Sequence, residues 1–458
     1  MAARASATST SEAAVATERG EMYSLPSFSV AQEPNFMWAG VDGVSFTDAV
    51  DSTYTEVIHW RRNVFKVPSG KAGKAFVAEM SRLIRAYAEG STLETIALKC
   101  AMIMPALLLQ KPHKTSKAKD HILCLERRMR LWEDGDLDAL LHEGRSIQDH
   151  FAVGPQSTSE TQLAQTFARL MFQGKVKPAM RLLTRHGRGD KLNLDDLVPV
   201  SSTCGERRTV RDILLDKHPT GKDLKPSAVA KADMSTQPPH PVVYEQIDGP
   251  LILSVSLRTD GAAGLSGIEA AGWKRLLSSF QGESEELCKA VAMLARRISS
   301  QLVDPSGLTA FTACRLVALD KCPGVRPIGI GEVLRRIVGK AILAVIGPDV
   351  QRVTGALQVC TGQHGGCEAA VHAMSLVFQD PTTEAVLLVD ATNAFNCLNR
   401  KVALQNIVQV CPSIAPAIIN TYRTDPQLCI DGEVIYSQEG TTQGDPLAMA
   451  MYAIATLP

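Results

Sequence analysis

The residue best placed for chemistry is Asp390, in the stretch VLLVDATNAFN. It follows the apolar run AVLLV at 385–389, a pattern that predicts a buried strand. A carboxylate at the C-terminal tip of such a strand is held rigidly and points into a cleft. Mg²⁺ needs a rigid carboxylate of this kind, because it takes oxygen ligands in near-octahedral geometry. Phe395 follows shortly after, where a short turn brings its ring beside a metal-bound substrate. The competing reading makes Asp390 the cap of the next helix.

Two further clusters carry chemistry. In QEGTTQGDPL, Asp445 is a good N-cap and Pro446 suits the first helical position, so a helix is expected to start at Pro446. The preceding GTTQG is a polar turn able to approach a nucleotide closely. Gln443 offers hydrogen bonds to a sugar or base. A well-capped helix alone accounts for Asp445 and Pro446 but gives no reason for Gln443-Gly444. In LDKCPGVRPIGI, Lys321 and Arg326 flank a Pro-Gly turn on a small hairpin. Two cations held this way clamp a triphosphate and neutralise charge that develops in phosphoryl transfer. Ordinary surface hairpins also carry Lys and Arg.

Three other patterns are set aside. Gly261, Gly264 and Gly267 lie in TDGAAGLSG, which lacks GxxxxGK[ST] and a preceding strand, so it is not a P-loop. Cys360, His364 and Cys367 fall close together, but no fourth ligand accompanies them and the spacing matches no common zinc finger. Asp195-Asp196 follows no strand-like run and reads as a loop or cap.

The elements that must position these residues show in the periodicity. Phe76, Met80, Leu83 and Ile84 recur at helical spacing within 75–88, and helices also fit 122–132 and 160–173. Two basic clusters accompany them. One is Lys111, Lys114, Lys117, Lys119, Arg127, Arg128 and Arg130; the other is Lys175, Lys177, Arg181, Arg185 and Arg188. Either can track a phosphate backbone or simply solvate a helix face. Further on, CRLVAL at 314–319 reads as a strand, and 333–346 and 401–410 read as helices. Asp431-Gly432 marks a hairpin turn within 428–436. The expected organisation is an irregular or disordered tail at 1–55, a mainly helical region at 56–217, a Pro-rich linker at 218–241 and a mixed α/β region at 242–458.

Of the 458 residues, 45% are hydrophobic and 21% charged, so most of the chain is expected to be globular. Lys+Arg and Asp+Glu are both 48, with pI near 7.1, which lacks the basic excess usual in nucleic-acid enzymes. Eleven cysteines without a CxxC pattern point to a reducing, intracellular compartment, cytoplasmic or nuclear. No apolar run reaches membrane-spanning length, and the first residues lack the apolar core of a secretory signal.

Taken in order, these motifs resemble those of reverse transcriptases, most closely the non-LTR (LINE-like) retrotransposon type. TDGAAGLSG is similar to the segment that opens such domains, and LVALDK and VRPIGI to the two fingers motifs. ALQVCTGQHGGCEAAVHAM is a looser match to the next block, without the aromatic that usually follows its Gln-x-Gly. VDATNAFN and GTTQGDPL resemble the first and second palm motifs. The resemblance covers roughly residues 255–458.

It implies an α/β (α+β) right-hand polymerase, fingers and the front half of the palm, preceded by the helical region. The implied activity is RNA-directed DNA polymerase, a nucleotidyltransferase that uses an RNA template, a DNA primer, dNTP and two Mg²⁺ ions. By resemblance Asp390 is a metal ligand, Lys321 and Arg326 bind the triphosphate, Phe395 excludes a ribose 2′-hydroxyl, and Gln443 and Gly444 position the nucleotide. The family's Asp-Asp hairpin is not among these residues, so the chain by itself is expected to be an inactive fragment. The alternatives are a non-catalytic nucleic-acid-binding remnant that uses the N-terminal basic helices, or an interaction protein without a nucleic-acid role.

Overall fold

The computed structural model describes residues 15–16, 22–23, 43–113, 115–152, 160–183, 191–200, 206–223, 241–355, 358–359 and 361–457. Lys114, Arg185, Arg188, Cys360, residues 224–240 of the Pro-rich stretch and most of the N-terminal tail lie outside the described residues.

After a two-residue pair, β1 (Val15–Ala16) and β2 (Met22–Tyr23), regular structure begins at α1 (Gly43–Val57). The expected tail therefore ends earlier than residue 55. Phe46, Val50, Tyr54 and Val57 fall on one face of α1 and are buried, which is why this stretch folds. In α2 (Lys71–Ala88) the predicted Phe76, Met80, Leu83 and Ile84 form the buried stripe. The next helix, α3 (Glu94–Leu108), is apolar all round and almost wholly buried. α4 (Ala118–Glu133) and α5 (Leu137–Ala152) pack against it, and α6 (Glu160–Phe172) and α7 (Val176–Leu183) follow and pack on each other. A small unit follows: β3 (Lys191–Leu192), β4 (Leu197–Pro199), β5 (Arg207–Thr209) and α8 (Val210–Lys217). Thr209 caps α8 by accepting from the Asp212 N–H.

The second half opens with α9 (Gly249–Leu257), α10 (Ala270–Ser278), α11 (Gly282–Ser300) and the single turn α12 (Thr309–Thr312). Then come β6 (Cys314–Asp320), β7 (Val325–Gly331) and α13 (Val333–Thr354). The last elements are α14 (Gly366–Gln379), α15 (Ala394–Cys397), α16 (Arg400–Val410), α17 (Ala415–Tyr422), β8 (Gln427–Ile430), β9 (Glu433–Tyr436) and α18 (Ala448–Ala455). β6 is the centre of a five-stranded sheet. β7 pairs antiparallel along one edge; on the other, β3 takes the end of β6 and β8 takes its start in parallel. The β8–β9 turn uses Asp431 and Gly432, both at positive φ, as the Asp-Gly pair predicted.

The regions on either side of the Pro-rich stretch pack against each other. A large hydrophobic core cluster draws on residues from Phe46 to Ile454, and a second, smaller one joins Leu194, Val198 and α8 to the sheet. α11 lies along α2, and Tyr54 of α1 donates to the Gln427 side chain of β8 at 2.8 Å. The reason is physical: α2 and α11 each carry a long apolar stripe, and part of each stripe is covered by the other helix.

The Gly-rich 261–267 stretch has a structural use that its sequence did not disclose. Glu332 is buried, and its two carboxylate oxygens accept from the Ser266 N–H and hydroxyl, each at 2.7 Å. Gly264 admits this approach, because a Cβ there would lie 2.5 Å from Glu332 Oε1.

Residues 385–389 contradict their reading as a buried strand. They pair with no strand among the described residues, and Leu387, Leu388 and Val389 are 86%, 84% and 83% exposed. The preceding α14 is also unpacked, with Val371, Leu376 and Phe378 facing solvent. A run of β-branched and leucine residues is buried only where neighbouring strands occupy its edges. Such an apolar strip favours self-association. Changing Leu387 and Leu388 together to lysine should reduce concentration-dependent light scattering while leaving the melting temperature within a degree or two, as for surface substitutions generally. A melting point lowered by many degrees would show that the strip is packed in solution.

Candidate nucleotide-binding cleft

Three segments far apart in sequence meet at one cleft. The first is the β6–β7 hairpin. Its register sets Leu319 opposite Arg326 and Asp320 opposite Val325, leaving residues 321–324 as the tip. The Lys321 N–H donates to Gly324 O at 3.0 Å, and Gly324 N–H donates to Pro199 O of β4 at 2.9 Å. The tip is thus fixed, and Lys321 and Arg326 project from it exposed.

The second segment is the turn around α15. Asn393 adopts a left-handed conformation, which Asn tolerates better than most residues. The Phe395 ring packs against Tyr452 of α18, with centroids 5.1 Å apart. The third is the 437–444 loop. Gly440 N–H donates to Leu398 O at 2.8 Å and Thr441 N–H to Phe395 O at 2.7 Å, so the two segments with palm-like sequence are sewn together by backbone. Gly440 must be glycine: φ is 64°, and a Cβ would lie 2.0 Å from Phe395 O.

One buried cation holds this loop and a second holds Asp445, the residue that follows it. Arg400 donates to Ser437 O, Ser437 Oγ, Glu439 O and Gly440 O at 2.5–3.1 Å. Arg335 of α13 donates to Thr312 O at 2.8 Å and pairs with Asp445. The same Asp445 oxygen accepts from Tyr422 Oη at 2.6 Å, and its other oxygen accepts from Leu447 N–H at 3.0 Å. Burial pushes the Tyr422 phenol well above its ordinary value, and the Asp445 carboxylate adds to that. Asp445 is therefore mainly the anchor of a buried ion pair, and α18 begins at Ala448, later than the expected Pro446.

A small cleft, about half open to solvent, lies between these segments. Lys321, Arg326, Phe395 and Gln443 line it together, as do Lys217, Asn393 and Asn396. Gly444 sits beside it, at φ 103°, with its Cβ position 3.1 Å from Gly329 O of β7. Asp390 does not line the cleft and is exposed in irregular backbone. Among the described residues no three His, Cys, Asp or Glu side chains converge to hold a metal ion. Mg²⁺ in a two-ion site needs several carboxylates. The donor set does not fit that centre, and no catalytic step follows from Asp390 here.

The basic helices divide. Arg128 is buried and cannot reach a nucleic acid: it donates to Leu108 O, Gln110 O and Glu143 inside the helical half. Arg127 chelates Glu143 at 2.6 and 2.7 Å. These two hydrogen-bonded guanidinium groups hold the Glu143 carboxyl below its ordinary value, against the burial that raises it. Lys117, Lys119 and Arg130 are exposed and Lys111 is half-buried. Lys217 and Asn393 went unremarked in the sequence, and neither has a local signal.

No family model matches this chain, and no curated protein matches it. Among the described residues no helix is long and apolar enough to cross a membrane.

Proposed function

We propose that this chain carries the nucleotide-binding face of an RNA-directed DNA polymerase of the non-LTR retroelement type. What supports the reading is the meeting of Lys321, Arg326, Phe395 and Gln443 in one cleft from three separate segments. The two hairpin cations take the triphosphate through charge-assisted hydrogen bonds. Phe395, whose ring packs against Tyr452, is the side chain to which the resemblance gives the contact with the sugar ring. Gln443 supplies an amide to sugar or base. An RNA template and a DNA primer are the remaining partners that the resemblance implies.

The test is equilibrium binding of dTTP, UTP and thymidine to the full chain. dTTP should bind in preference to UTP, and thymidine only weakly, since most of the affinity is electrostatic. Phe395→Ala should narrow the dTTP:UTP ratio by roughly tenfold, the effect of about one well-packed side-chain contact. Equal affinity for dTTP and UTP in the unaltered chain would remove the polymerase reading.

A further inference from the structure

A third cation stands in the same cleft and comes from a region that the motifs do not reach. Lys217, the last residue of α8, lines it with Lys321 and Arg326, and none of the lining residues is acidic. Among the described residues none of the three has an ion-pair partner.

The position of Lys217 is built. The Asn393 side chain donates to Lys217 O at 2.8 Å. Beyond it, Gly221 N–H donates to Gln438 Oε1 at 3.2 Å and Lys222 N–H to Glu439 Oε1 at 2.5 Å. Lys401 reaches Asp223 at 3.1 Å. The end of α8 is thus bound both to the turn that carries Phe395 and to the loop that carries Gln443. Burial first, then repulsion from Lys321 and Arg326, holds the Lys217 ammonium below the ordinary lysine value, and Cys397 acts the other way. Three cations without a counter-charge repel one another. A polyanion between them turns that repulsion into attraction.

We propose that Lys217 is the third cation of a polyphosphate site and holds the same ligand as Lys321 and Arg326. The identity of that ligand as a nucleoside triphosphate rests on the reading above; anion binding as such does not.

The experiment is titration calorimetry of the full chain with inorganic tripolyphosphate and, separately, dTTP. Lys217→Ala should weaken both about tenfold to a hundredfold, the loss of one charge-assisted contact. Lys217→Gln, which keeps the aliphatic stem, should lose the same affinity, and Lys217→Arg should recover most of it. Unchanged tripolyphosphate affinity in both Lys217→Ala and Lys217→Gln, with Lys321→Ala weakened, overturns the assignment and leaves the nucleotide reading intact. The expected losses combined with no preference of the unaltered chain for dTTP over UTP support the three-cation site and remove the polymerase reading. No binding of tripolyphosphate by the unaltered chain overturns both.

Discussion

Replacing Asp445 by alanine is expected to cost about 3–5 kcal/mol of folding stability, the loss typical when one partner of a buried ion pair is removed. The Arg335 and Asp445 side chains are only 4% and 1% exposed. Without the carboxylate, a guanidinium stays in the core with Thr312 O as its remaining strong acceptor. Tyr422 Oη and the Leu447 N–H lose their acceptors at the same time. The midpoint of urea denaturation reads the effect. Asp445→Asn, which keeps one acceptor oxygen but neither the second nor the charge, should fall between the unaltered protein and Asp445→Ala. The paired change of Arg335→Met with Asp445→Leu should recover much of the loss, because apolar side chains of similar volume often replace a buried pair without penalty. A loss under about 1 kcal/mol in Asp445→Ala would mean that water reaches the pair in solution.

The second large effect is on binding. Lys321→Ala combined with Arg326→Ala should weaken dTTP by on the order of 10² to 10⁴, taking each charge-assisted contact at about 1.5–3 kcal/mol. The two cations act on one ligand, so the double loss should be smaller than the product of the single losses. Both side chains are exposed, and the hairpin tip is held by backbone hydrogen bonds through Gly324 and Pro199. The melting temperature should therefore be unchanged. Raising the salt concentration should weaken binding to the unaltered protein more steeply than to the double variant, in which Lys217 is the cation left in the cleft. Unaltered dTTP affinity in the double variant would place the ligand elsewhere.

Local rules recovered most of the elements. Phe76, Met80, Leu83 and Ile84 announced α2, CRLVAL announced β6, and Asp431-Gly432 announced the β8–β9 turn, because each depends on neighbours within a few residues. They failed where the answer lay with a distant partner. AVLLV has the composition of a buried strand, yet burial needs strands alongside it, and composition does not say whether they are there. Asp445 has the signature of a helix cap, and its dominant contact is Arg335, more than a hundred residues earlier. Arg128 looks like its basic neighbours in sequence, but the carbonyls of Leu108 and Gln110 draw it inside. The cleft was half legible. The residue types of Lys321, Arg326, Phe395 and Gln443 suggested a common task, whereas Lys217 enters only because α8 packs beside β7.

Because the core runs unbroken from α1 to α18, the two regions of the chain are not free to drift apart over generations. A bulkier side chain on the inner face of α2 must be met by a smaller one on α11. A change in β3 alters the edge of the sheet that carries the Lys321–Arg326 hairpin. The final two hundred or so residues are thus not a portable cassette. Compensating pairs of substitutions between α2 and α11 are the trace that this shared packing would leave in related sequences.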